Sequence, residues 1–128
     1  VEKETKITAP AAELSSRVTV LQQTVFFSSD SLQISLYDNG EVDGDIVSVL
    51  MNGKLIMEKE GLSTKAVKKT IYAEPGTDTI ELLMYAENLG TIAPNTGLLV
   101  VHDGKSIYEV RFSGDLQKNA SIILKRKK

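Results

Sequence analysis

Apolar and polar residues alternate along most of the chain, which is the pattern of β-strands with one buried face. Leu32, Ile34 and Leu36, for example, are separated by single polar residues. The segment 46–51 is almost wholly apolar and rich in β-branched residues, which predicts a central strand. Turn-forming residues interrupt the pattern every 8–14 residues, and no long helix is predicted. We therefore predict about nine short strands, at 18–27, 32–37, 46–51, 54–58, 67–71, 80–86, 98–102, 106–112 and 120–124.

Two dipeptides mark tight turns between neighbouring strands. Asn52-Gly53 separates two apolar runs, and Asp103-Gly104 does the same later in the chain. Such dipeptides favour positive φ, which two-residue hairpin loops require. We expect a β-hairpin at each dipeptide, with positive φ at both Asn52 and Gly53.

These features together predict an all-β fold, an antiparallel β-sandwich of about nine short strands. The length of 128 residues fits one domain with a sizeable core. Residues 1–16 are polar, contain Pro10 and lack strand periodicity. We interpret 1–16 as a lead-in segment in which 10–14 form one helical turn, and 17–128 as a single β-sandwich domain.

Charge and composition narrow the class of protein. The formal net charge is −2, but the last four residues are all basic, so the preceding 124 carry 11 basic and 17 acidic side chains. A mildly acidic body without Trp does not favour nucleic-acid binding, which needs a basic face with aromatic residues. We interpret the basic tail as a solvated, frayed terminus. Cys is absent, which excludes disulfides and thiolate metal sites, and no apolar run reaches the ~18 residues of a transmembrane segment.

The most polar stretch is the loop 37–45, which contains four carboxylates, one amide and two glycines. Alternate positions carry oxygen ligands, as in the first half of an EF-hand loop: Asn39, Glu41, Asp43 and Asp45. Leu50 stands where that motif needs a bidentate Glu, so the loop is not an EF-hand. Oxygen ligands on a loop bent by glycines still suit calcium. The alternative is a structural turn in which Asp and Asn side chains accept backbone N–H bonds.

The sequence contains no recognisable catalytic motif. A nucleophile elbow and a phosphate-binding glycine loop are both missing, and His102 is the single His. Asp43 and Asp45 could act as an acid–base pair on a glycoside, but few aromatic residues are present to form a sugar platform. We predict that the chain is not an enzyme, with a hydrolase that uses the acidic loop as the alternative.

Three polar motifs resemble those of a known family. They lie at 37–45, 84–96 and 114–120 and read YDNGEVDGD, MYAENLGTIAPNT and GDLQKNA. Over roughly residues 13–126 the chain resembles a family of exported domains from Gram-negative bacteria that has no assigned activity. The resemblance implies an exported protein, periplasmic, on the outer surface or secreted, and it implies no mechanism.

A sandwich can gather the loops 38–45, 87–95 and 115–119 at one end, where binding sites on such folds lie. We therefore predict one shared site at these loops. Its calcium ligands would be Asp38, Glu41, Asp43, Asp45 and Asn88, with Glu87, Asn95 and Asp115 beside them. The alternative is that Asn88 and Asn95 are hydrogen-bonded braces of their loops.

The functional prediction is a non-catalytic binding or accessory domain of an exported bacterial protein. Its partner would be an unknown protein or a glycan at the cell surface, not nucleic acid. The alternative is a calcium-stabilised carbohydrate- or surface-binding module.

Overall fold

Nine β-strands make up the regular structure of the computed structural model, which describes residues 17–38, 44–88 and 95–127, and only the backbone of Asn95. The strands are β1 Val18–Phe27, β2 Ser31–Asp38, β3 Ile46–Met51, β4 Lys54–Gly61, β5 Val67–Tyr72, β6 Thr79–Ala86, β7 Asn95–Asp103, β8 Ser106–Gly114 and β9 Lys118–Arg126. The prediction of an all-β chain with about nine strands is confirmed. The lead-in segment 1–16, including its helical turn, lies outside the described residues.

The strands form two sheets that pack against each other as a β-sandwich. One sheet has five strands in the order β1-β9-β6-β3-β4, and the other has four in the order β5-β2-β7-β8. Neighbouring strands are antiparallel, except that β1 and β9 are parallel. The predicted antiparallel sandwich is confirmed. The parallel β1–β9 pair could not be predicted, because apolar and polar residues alternate with the same period in parallel and antiparallel strands.

Inward-facing side chains of both sheets form the main core. Its fully buried members include Leu36, Leu82, Leu99 and Ile122. As predicted, β3 is a central strand, and it lies between β6 and β4. Its side chains alternate between two apolar clusters, since Val49 lies in the main core. Leu50 instead belongs to a second cluster on the outer face of the five-stranded sheet, with Leu55, Leu83 and Tyr85.

Both predicted hairpins form. Asn52 and Gly53 have φ of 51° and 85°, and the residues on either side of them pair. In the second hairpin Asp103 pairs with Ser106, so the two-residue loop is Gly104-Lys105. The turn therefore starts one residue later than the dipeptide indicated, and Asp103 is the last residue of β7.

The basic C-terminus is anchored at Arg126. Its guanidinium donates to the carbonyl oxygens of Thr77 and Ala73 at 3.0 and 3.1 Å. It also forms a 3.1 Å ion pair with Asp30 and lies 5.0 Å from the ring centroid of Phe27. The prediction of a solvated, frayed terminus is therefore wrong for Arg126, because its side chain forms hydrogen bonds and an ion pair with other parts of the fold.

Candidate functional site

The described ends of the acidic loop are Asp38, the last residue of β2, and Asp45, just before β3. Both residues are buried, with 9% and 1% of their surface exposed. The backbone N–H of Thr96 donates to the Asp45 carboxylate at 3.4 Å. The N–H of Leu62 donates to the Asp45 carbonyl oxygen at 2.9 Å. Asp45 thus connects the entry to β3 with β7 and with the segment after β4. The other predicted ligands of this loop, Glu41 and Asp43, lie outside the described residues.

Asn88 is bound to the same loop through both ends of its side-chain amide. Its Oδ1 accepts a 2.9 Å hydrogen bond from the N–H of Ile46, and its Nδ2 donates to the Gly44 carbonyl oxygen at 3.1 Å. These bonds hold the segment after β6 against the entry to β3. The interpretation of Asn88 as a brace is therefore supported by geometry, and its role as a calcium ligand stays a prediction.

Glu87 lies next to Asn88 and binds a polar group on the outer face of the five-stranded sheet. The Ser48 hydroxyl donates to the Glu87 carboxylate at 2.6 Å and accepts from the N–H of Lys59 at 2.9 Å. Lys59 has a φ of 50° and lies where the β3–β4 register is interrupted. Glu87 therefore stabilises an irregularity of β4 through Ser48, instead of pointing toward Asp45.

The third polar loop meets the others through Arg17. Its Nη1 donates to the carbonyl oxygens of Ala86 and Asp115, at 3.0 and 3.4 Å. Its guanidinium lies 3.9 Å from the ring centroid of Tyr85. The Asp115 carboxylate accepts hydrogen bonds from the N–H groups of Gln117, at 2.7 Å, and of Lys118, the first residue of β9, at 2.8 Å. Asp115 therefore caps its own turn.

The described ends of all three loops thus lie at one end of the sandwich, as predicted. The predicted third loop is shorter than expected, because Asn119 belongs to β9 and is completely buried. Asn95 pairs with Gly114 at this same end. Among the described residues, no group of three or more His, Cys, Asp or Glu side chains is arranged to hold a metal ion. Calcium binding stays a prediction that depends on loop residues outside those described.

A groove of about 480 Å³ lies beside this end, on the outer face of the four-stranded sheet. Leu99 and Val101 point into the core, so the alternate residues of β7 face outward. The groove is lined by side chains of β2, β7, β8 and the β4–β5 connection: Tyr37, Asp38, Thr64, Leu98, Val100, His102, Ile107 and Glu109. Its volume falls in the range of ligand sites, which is roughly 300–1,000 Å³.

Strand register sets the chemistry of the groove. Tyr37 lies opposite Leu98, and Val100 lies opposite Glu109. The floor is therefore apolar, while carboxylates stand at two positions, Asp38 and Glu109. Among the described lining residues none is Lys or Arg, although the exposed Arg111 lies next to the groove, opposite Leu98. Of the predicted site residues that the structure describes, Asp38 alone belongs both to the loop end and to the groove.

Sequence reasoning missed this groove, although one signal was present. Residues 98–101 are four apolar residues in succession, so β7 is apolar on its outer as well as its inner face. A solvent-facing sheet surface normally alternates with polar residues. The groove itself depends on the register of three strands, which the sequence pattern does not contain.

A buried carboxylate at the opposite end of β7 is structural. Asp103 accepts 2.9 Å hydrogen bonds from the backbone N–H groups of Ser28 and Ser29. Burial by itself raises the pKa of Asp103, but the hydrogen bonds from Ser29 and Ser28 and the charge of Lys127 outweigh it, and the pKa lies below its ordinary value of 3.8. Asp103 thus ties the β1–β2 turn to the β7–β8 hairpin in its ionised form.

Comparison with known proteins identifies no family. No protein-family model, curated protein or solved structure matches the chain. Export, which rests on the resemblance of the three motifs, therefore stays a prediction. The described residues include no helix long and apolar enough to cross a membrane.

Proposed function

We propose that the chain is a non-catalytic binding module of an exported bacterial protein, and that the groove on the four-stranded sheet is its binding surface. The observation that carries the proposal is the combination of an apolar floor with carboxylates in one depression. Binding sites in proteins typically pair apolar walls with a few polar groups that fix orientation.

The lining favours a protein segment as the ligand. Leu98, which is partly exposed, and Ile107, which is 59% exposed, offer contacts to aliphatic side chains. Glu109 is exposed and adds negative charge, which attracts a basic side chain. A chain without Trp and with Tyr37 as the aromatic side chain of the lining has little of the flat surface on which sugars stack. The proposed ligand is therefore an extended polypeptide with basic residues beside aliphatic ones.

The test uses synthetic hexapeptides in which Lys flanks a run of Val and Leu, together with peptides of the same composition in which Glu replaces Lys. Amide chemical shifts of the labelled protein report where each peptide binds. We expect the Lys peptides to shift resonances of β7 and β8, with an affinity that falls as salt rises, and the Glu peptides to cause no shift.

Two groove variants and one control locate the interaction. Ile107→Asp removes apolar floor, and Glu109→Gln removes charge with little change of shape. The control is Tyr72→Ala, which deletes an exposed aromatic ring from β5, outside the groove lining. We expect weaker binding in the first two and unchanged binding in the control. Shifts caused by soluble polysaccharides and not by peptides would contradict the protein ligand and favour the glycan alternative.

A further inference from the structure

Among the described strands, the edge strand β1 carries the most exposed large hydrophobic residues. Among the strands of the described residues, it ends the five-stranded sheet and pairs with β9 alone. Val18, Leu21 and Phe26 are 62%, 57% and 51% exposed, and Val20 is exposed as well. Leu116, also exposed, belongs to the loop whose Gln117 accepts a hydrogen bond from the N–H of Val18. Five of the seven large hydrophobic residues that are exposed in the described part of the chain therefore lie on or beside β1.

Composition distinguishes β1 from the other strands at sheet edges. The segment 18–27 contains no charged residue. Each of the other three edge strands carries charges: β4 has two Lys and two Glu, β5 has two adjacent Lys, and β8 has Glu109 and Arg111. Charged side chains on edge strands prevent pairing with other chains. β1 lacks this protection, although its apolar side chains are exposed.

We infer that β1 pairs with β1 of a second copy of this chain, across a two-fold axis and in antiparallel orientation. An isologous pair places the same strand on both sides of the interface. The side chains of that strand must therefore lie beside copies of themselves without repulsion. The uncharged β1 does so without like-charge contacts. By the same argument β5 is excluded, because its Lys68 and Lys69 would approach the same residues of the second copy.

The part of β1 before its bulge is the pairing segment. The β1–β9 register shifts between Leu21 and Gln23, and bulges turn an edge strand away from a partner. Val18–Leu21 is regular and exposed throughout. Pairing would join two five-stranded sheets into one continuous sheet. It would bring Val18 and Val20 on one face, and Leu21 on the other, beside residues of the second copy.

Sedimentation velocity over micromolar to millimolar concentrations tests the inference on the full chain. We expect a reversible monomer–dimer equilibrium. Leu21→Lys should raise the dimer dissociation constant at least about tenfold, because the introduced charge occurs twice in a symmetric interface. The control is Tyr72→Lys, which makes the same kind of change at an exposed residue of the edge strand β5 and should leave the equilibrium unchanged.

Amide hydrogen exchange of the unmodified chain gives a second readout that needs no variant. Exchange in the segment 18–21 should slow as concentration rises, while exchange in β5 should not. A chain that stays monomeric at millimolar concentration would overturn the inference. So would a dimer that Leu21→Lys leaves intact while circular dichroism shows a folded protein, or concentration-dependent protection confined to another edge.

Discussion

Replacement of Asp103 by Asn should destabilise the sandwich, because this buried carboxylate joins two turns through backbone hydrogen bonds. The carboxylate accepts two backbone N–H bonds of 2.9 Å, one at each oxygen, from Ser28 and Ser29. Asn keeps one acceptor and directs an NH₂ group at the other N–H. Bonds to a charged group contribute about 1.5–3 kcal/mol each. Ser28 is exposed and Ser29 half-buried, so water partly replaces the lost acceptor, and we expect a loss of about 2–4 kcal/mol of unfolding free energy.

Urea unfolding as a function of pH is the assay. The pKa of Asp103 is lowered in the folded protein, so its ionisation stabilises the fold above the ordinary pKa of 3.8. That contribution is lost as the pH falls through the lowered pKa of the folded state. The difference between wild type and Asp103→Asn should therefore be full at neutral pH and shrink in strong acid.

A matched control separates this effect from a general change of charge. Asp78→Asn also removes one carboxylate, from an exposed residue next to β6, and should change the unfolding free energy by less than about 0.5 kcal/mol. If Asp103→Asn costs no more than this control, the two hydrogen bonds do not stabilise the protein. A large loss that persists unchanged in acid would refute the role of the ionised carboxylate.

Three further predictions concern the turn, the strand contact and the acidic loop. Gly53→Val should destabilise the fold by about 1–2 kcal/mol, since a β-branched residue is strained at positive φ; an unchanged melting temperature would contradict this. Gly97→Ala should cost about 1–3 kcal/mol, because a Cβ there would overlap the ring of Phe112, with two further ring carbons at 2.7 and 3.0 Å; denaturant titration checks it, and Phe112→Leu in the same chain should recover part of the loss. Calcium should raise the melting temperature, as any ligand of the native state alone does, and Asp43→Asn with Asp45→Asn should abolish the rise; equal melting in calcium and in excess EDTA, on protein first stripped of metal, would favour the structural turn.

The site was only partly predictable. Short polar segments with Asp, Asn and Gly indicate loops, and the structure brings the described ends of those loops to one end of the sandwich. Their contacts could not be predicted. Asn88 binds Gly44 and Ile46, more than forty residues away in the chain, and Glu87 faces Ser48 on the outer side of the sheet. Such pairs depend on which strands become neighbours.

The strands, the hairpin turns and the buried face of β2 could be predicted from local sequence patterns. Alternation along β2 and the apolar run of β3 are local properties, and burial of apolar surface is the main driving force of folding. Asn52-Gly53 likewise favours its turn through the φ preferences of two adjacent residues.

Which strands lie side by side could not be predicted, since the alternation along a strand is the same whatever its neighbour. The parallel β1–β9 pair left β1 at a sheet edge. The β2–β7–β8 register assembled the groove from residues up to seventy-two positions apart, Tyr37 and Glu109. Arg126 donates hydrogen bonds to, and Asp103 accepts them from, turns that are remote in the chain. These features carry both proposals, because binding surfaces are formed by the packing of elements and not by any one of them.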